Sequence, residues 1–272
     1  MKISEIQTKS IITKSALPDA DFVINPYVGC QHACLYCYAD FMRRFTGHGE
    51  DRWGEFVDVK TNAALTVPQK DFGDKTILVG SVTDPYQQSE GKYQITREIL
   101  TQLLKSQPKL EMLTKSALIT RDIDLLRQFR QLRVGVSLNT LDQTVARTLE
   151  PYASSPQARV NALRKLSDAG IETYLFISPI FPGVTDYQTL MEATKDFVGG
   201  YLFENLNIRG NNRTAVLGFI QESFPQLKPL YEQLSKNKEF WDSLQKEIEK
   251  HCKKLGVNFK IYFDHKKDKN KK

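Results

Sequence analysis

Residues 25–39 (NPYVGCQHACLYCYA) carry three of the four cysteines in the 272-residue chain. Cys30, Cys34 and Cys37 follow a C-x3-C-x2-C spacing, and no fourth cysteine lies near them in sequence. A loop this tight can bring three thiolates to one metal centre. Thiolates hold iron–sulfur clusters, ordinarily through four cysteines. Three of them on a four-iron cluster would leave one iron open to another molecule. The alternative is a structural zinc ion with His32 or the distant Cys252 as fourth ligand. Zinc sites of that kind usually pair C-x2-C units, and a run with Tyr36 inside it fits them poorly. His32 is therefore expected to support the loop, and Cys252 to be a half-buried structural thiol on the last helix.

A catalytic loop needs a scaffold, and the downstream pattern supplies one. Residues 2–16 read as an N-terminal arm of alternating character, and 21–26 as a short strand broken by Pro26 and Gly29 into the cysteine loop. A helix is expected over 35–45 and an extended piece over 55–60. Strands over 76–81, 110–114, 134–138, 171–178 and 201–208 then alternate with helices over 95–105, 122–132, 156–169 and 187–198. Such alternation implies right-handed βαβ units on a parallel sheet. Ile99, Leu100, Leu103 and Leu104, and likewise Leu163, Leu166 and Ala169, form one apolar stripe per helix. Gly170 suits a left-handed helix end. Ligands of barrels and open α/β sheets sit beyond the C-terminal strand ends. The segments at those ends, 80–86, 114–116, 137–140, 178–183 and 204–210, are polar or glycine-rich. Helices over 215–222, 228–234 and 240–255 and a strand over 257–263 follow.

Composition narrows the partners. The formal charge is +6, but residues 266–272 (KKDKNKK) hold five lysines and one aspartate, so the tail alone carries +4 and the body about +2. That is a weak signal for a polyanion partner. The organisation expected is an arm over 1–20, a core over 21–210, a helical extension with a terminal strand over 211–264 and a disordered basic tail over 265–272. No apolar stretch resembles a signal peptide or reaches membrane-span length. Reduced thiols then fit a cytoplasmic setting.

The C-x3-C-x2-C run with Tyr36 before its third cysteine resembles the radical S-adenosylmethionine (SAM) enzymes. That resemblance implies a partial (β/α)6 TIM-type barrel and a 4Fe-4S cluster on Cys30, Cys34 and Cys37. Its open iron would bind SAM, and an electron from a donor such as flavodoxin or ferredoxin would cleave SAM to a radical that takes hydrogen from a substrate. Residues 25–39, 81–86, 113–115, 136–140, 149–151 with Arg159, and 177–183 look like the spore photoproduct lyase branch. The whole chain is similar to the group called radical SAM mobile pair protein B, whose name implies a second radical SAM protein encoded nearby. The lyase resemblance implies that Lys115, Ser137 and Thr83 contact SAM, with Asn139 near the ribose. It places one of Tyr36 and Tyr38 near the adenine and makes both hydrogen-atom relays. Ser81 stands where those lyases carry the cysteine that returns a hydrogen atom, and a serine O–H bond is too strong for that task. Glu150 with Arg159 is expected to be a tethering ion pair rather than a substrate site. Glu204, Asn205, Asn207 and Arg209 are candidate substrate contacts. The reading is a radical SAM enzyme on an unknown substrate. Its rivals are nucleic-acid lesion repair and a non-catalytic metal-binding or electron-transfer subunit.

Overall fold

The computed structural model describes residues 1–208 and 210–263. The basic tail over 265–272 and Arg209 lie outside the described residues. The strands are β1 (Lys2–Ile6), β2 (Ile12–Lys14), β3 (Phe22–Ile24), β4 (Tyr27–Val28), β5 (Phe56–Lys60), β6 (Thr76–Val79), β7 (Lys109–Thr114), β8 (Leu132–Ser137), β9 (Glu172–Ile180), β10 (Tyr201–Asn205) and β11 (Phe259–Tyr262). The main sheet runs β11-β10-β9-β8-β7-β6-β3-β2, and a small sheet runs β1-β5-β4. Neighbours from β3 to β11 are parallel, and only β2 is antiparallel at its edge. This is the parallel core of a partial barrel.

The helices are α1 (Gln88–Tyr93), α2 (Ile95–Leu103), α3 (Ile123–Leu126), α4 (Gln143–Leu149), α5 (Pro156–Asp168), α6 (Tyr187–Glu192), α7 (Arg213–Ser223), α8 (Lys228–Gln233) and α9 (Lys238–Leu255). Among the described residues no helix is long and apolar enough to cross a membrane. The outer sheet face buries Ile77, Val79, Leu110, Met112 and Val134 against Ile99, Leu100 and Leu103. Farther along, Val136, Leu175, Ile177 and Phe203 meet Leu163, Leu190, Ile248 and Cys252. Cys252 is fully buried rather than half-buried, because it lies on the apolar stripe of α9.

Several expectations need correction. The N-terminal arm carries two strands, β1 lying parallel on β5 and β2 edging the main sheet. The helix expected over 35–45 is a 3-10 segment, Tyr38–Phe45, because Cys37 N–H closes a turn on the Cys34 carbonyl at 3.1 Å first. The helix over 122–132 shrinks to α3, since Leu132 already opens β8. The helix over 187–198 stops at Glu192; the Thr194 hydroxyl bonds back to the Leu190 carbonyl at 2.9 Å, an alternative that short polar side chains offer the backbone. Helices α1 and α4 were not anticipated. The last strand extends the main sheet, β11 pairing parallel with β10. Asp19, just before β3, accepts from the Tyr262 hydroxyl at 2.5 Å and pairs with Lys260, joining the two sheet edges through side chains.

The small sheet carries a proton-dependent clasp. His48 bridges Asp51 at 2.6 Å and Asp58 of β5 at 2.9 Å, and its ring stacks on Phe56 with centroids 3.9 Å apart. Burial disfavours the imidazolium, but the bonds to Asp51 and Asp58 outweigh it and raise the pKa above the ordinary 6.5. A raised value contributes stability that is complete below the unfolded pKa and fades as pH rises through the folded one. We expect the urea midpoint of wild type to exceed that of His48→Gln most at about pH 6 and to converge on it by about pH 9. A gap that widens with pH would refute the clasp.

Candidate active site at the barrel mouth

The cysteine loop needs special backbone. Gly29 has φ +81°, and a Cβ there would lie 2.4 Å from the Phe56 carbonyl oxygen. Ala33 also sits in the left-handed region, at φ 52°. Strand-end segments then clamp the loop from both sides. After β6, the Thr83 hydroxyl donates to the Gly29 carbonyl at 2.5 Å and Gln87 Oε1 accepts from Gln31 N–H at 2.8 Å. After β8 and α4, the Leu149 carbonyl accepts from Leu35 N–H at 2.9 Å and Tyr152 N–H donates to the His32 carbonyl at 3.4 Å. From the third side, Asn212 at the start of α7 donates to the Tyr36 carbonyl at 3.0 Å.

Asp84 ties this loop to the sheet. It accepts from the Thr114 hydroxyl and Lys115 N–H at 2.7 Å each and lies 3.1 Å from His32 Nε2. Burial alone would raise its pKa, but His32 and these donors hold it at about 2. Asp84, Gln87 and Asn212 were not foreseen as site-building residues; the polar segment 80–86 was the one available signal.

Within the clamp, burial pushes Cys30 and Cys37 up to about 12, with neighbouring Asp84 and Cys37 adding to the first and Cys34 to the second. Burial likewise raises Cys34, although Lys115 opposes it. Burial disfavours the Lys115 ammonium, yet Cys34 and Glu150 outweigh it and raise its pKa. Three thiols that burden one another this way are suited to a cationic centre that takes them as thiolates. Among the described residues no group of three or more His, Cys, Asp or Glu side chains is arranged to hold a metal ion directly. His32 is committed to Asp84 and the Tyr152 carbonyl, and Cys252 lies in the sheet core. Neither is placed to complete a tetrahedral zinc site.

The other expected residues divide. Tyr38, about half exposed, donates to the Ser81 carbonyl, so these two meet. Asn25 Oδ1 accepts from Ser81 N–H and Val82 N–H, at 3.0 Å each. Tyr36 is buried instead: its hydroxyl donates to Glu150, and its ring lies edge-on to Phe181 at 5.5 Å. Glu150 also pairs with Arg159, which donates to the Ser137 carbonyl at 2.9 Å and the Ser154 carbonyl at 2.7 Å. This is the tethering pair expected, and it shapes the site by fixing the end of β8. Ser137 Oγ donates to the Ser178 carbonyl at 3.1 Å.

Asn139 is buried with neither amide atom partnered, an arrangement that ordinarily asks for a ligand or water. Glu204 accepts from Ser178 Oγ at 2.5 Å. Asn205 turns to the protein, its Nδ2 donating to the Phe263 carbonyl at 3.2 Å, and the Asn207 backbone carbonyl accepts from Asn212 at 3.0 Å. A cavity of about 1030 Å³ opens at the opposite, N-terminal end of the strands. Asp19 pairs with Lys260 and Arg133 with Glu172 in its wall, and its place at the strands' N-terminal ends sets it away from the cysteine loop.

The model of the radical SAM superfamily matches residues 24–196. An uncharacterised protein of Methanocaldococcus jannaschii is 34% identical over 92% of this chain and 94% of its own length. An uncharacterised protein of Acidianus two-tailed virus is 32% identical over 79% of the chain and 77% of its own. A Pseudomonas phage M6 protein named radical SAM Nalpha-GlyT isomerase is 25% identical over 78% of the chain and 42% of its own. Among solved structures, a spore photoproduct lyase complexed with dinucleoside spore photoproduct superposes with TM-score 0.58 at 17% identity, covering 82% of this chain and 66% of the lyase. Streptococcus suis SuiB bound to S-adenosylmethionine gives 0.51 at 14% identity, covering 89% and 46%. The two superpositions establish the shared barrel, and the sequence matches carry the assignment: this chain is an enzyme of the radical SAM superfamily.

Proposed function

We propose that Cys30, Cys34 and Cys37 hold a 4Fe-4S cluster with one iron left for SAM, and that the enzyme cleaves SAM reductively to abstract hydrogen from a substrate. The supporting observation is the donor set: three thiols carried by one clamped loop, while His32 is committed to Asp84 and Cys252 lies in the sheet core. When bound, the cluster supplies the electron that breaks the SAM carbon–sulfur bond.

The chain's own residues hold and exclude. The Lys115 ammonium suits the SAM carboxylate as a point charge, and Asp84 fixes its backbone. The unpartnered Asn139 amide can both donate and accept at the ribose. Ser137 and Thr83 already donate to carbonyls and Thr83 Oγ1 also accepts from Gln87 Nε2 at 3.0 Å, so each can offer a ligand N–H only a remaining oxygen lone pair. Tyr38, in contact with Ser81, is the candidate relay of a hydrogen atom; buried Tyr36 instead braces the loop through Glu150. Ser81 in place of a thiol, and a body charge of only about +2, leave DNA photoproduct repair the weaker reading. The proposed partners are a flavodoxin or ferredoxin and a second radical SAM protein encoded nearby.

Anaerobic reconstitution with iron and sulfide, then SAM and dithionite, should yield 5′-deoxyadenosine by mass spectrometry. A protein that takes up iron but never cleaves SAM would overturn the catalytic reading in favour of an electron-transfer subunit.

A further inference from the structure

Tyr201 and Phe203 of β10 are buried in the core between sheet and helices. Strand alternation therefore turns Leu202 and Glu204 to the barrel interior. Glu204 stands at the C-terminal end of its strand and receives the Ser178 hydroxyl on one carboxylate oxygen at 2.5 Å. Among the described residues no Lys, Arg or His lies within ion-pair distance of it. Arg159, deeper in the site, is committed to Glu150. Half-buried and unpaired with a cation among the described residues, this carboxylate is open to a cationic ligand.

We propose that Glu204 is the specificity-determining residue of the substrate pocket and that it selects substrates presenting a cationic amine over those presenting an acid. The inference rests on the reading of the mouth as a radical SAM site, which assigns the cysteine side to SAM and leaves the β9–β10 side to the substrate. Ser178 holds the carboxylate through one oxygen and leaves the other to accept from an incoming group.

The test uses the reconstituted protein with SAM and no reductant, so that it does not depend on SAM cleavage. The probes are n-butylammonium and n-butyrate, read by saturation-transfer difference NMR. Wild type should bind butylammonium in preference to butyrate, and equal binding overturns the proposal without any variant. Glu204→Gln, which keeps an acceptor for Ser178, should weaken butylammonium about tenfold, and Glu204→Asp should retain the preference. The affinity for SAM, measured by equilibrium dialysis, should be unchanged. Wild-type amine binding in Glu204→Gln refutes the assignment. A loss of SAM affinity of about tenfold in that variant would place Glu204 in the SAM site instead, and also refutes it.

Discussion

Replacing any one of Cys30, Cys34 or Cys37 by alanine is expected to abolish cluster assembly, removing the visible absorption of the reconstituted protein and its bound iron. Loss of an outer hydrogen-bond partner alone typically costs ten- to a hundredfold in metal affinity or activity, so loss of a ligand should lower 5′-deoxyadenosine formation by at least about a hundredfold. The clamp makes the sites non-redundant. The loop is bonded to Gln87, Leu149, Tyr152 and Asn212, and cannot slide to recruit another thiol. Cys252 is the control. It is fully buried among Val136, Leu175 and Ile248, so Cys252→Ala should leave iron content unchanged and cost only about 1 kcal/mol of stability. Iron loss in Cys252→Ala, or full iron in a triad variant, would contradict the assignment.

The second large effect concerns Glu150, which is 2% exposed and faces an Arg159 that is 1% exposed. Glu150→Ala leaves that guanidinium buried without its counter-charge, which ordinarily costs about 3–5 kcal/mol. It also strips the Tyr36 hydroxyl of its acceptor. The urea midpoint should fall accordingly, while a change within about 0.5 kcal/mol, as at ordinary surface positions, would refute the role. The pH dependence has a definite sign. Burial would raise the Glu150 pKa, but Arg159, Lys115 and Tyr36 hold it below the usual 4.5. A lowered carboxylate pKa contributes stability that is present above the unfolded value and lost as pH falls through the folded one. The penalty of Glu150→Ala should therefore be largest near neutrality and shrink in acid. Because Arg159 also holds the Ser137 carbonyl, the variant should weaken SAM binding as well.

Much of the scaffold was legible because its signals are local. Runs such as TILV in β6 and KLEMLT in β7 declare extended structure, and the stripe Ile99, Leu100, Leu103 declares a buried helix face. Where a pattern was weak or contested, reading it failed. Helix α4 buries only Ala146 and Leu149 and is set by the Asp142 cap, whose carboxylate accepts from Thr144 N–H and Val145 N–H at 2.7 and 2.9 Å. The apolar spacing over 122–132 fits a helix, but the sheet claims Leu132 because it pairs with Leu110 of β7.

The residue order alone determined the three-thiol donor set, the strand–helix alternation and the polar strand ends, since each depends on neighbours a few positions apart. Only tertiary structure decided which groups meet. Tyr36 reaches Glu150 across 114 residues, Gln31 reaches Gln87 across 56, and β1 finds β5 as its parallel partner. Alternation tells a strand which side chains share a face but not which face turns inward, so the placement of Glu204 opposite Ser178 emerged only when β9 and β10 paired around one barrel.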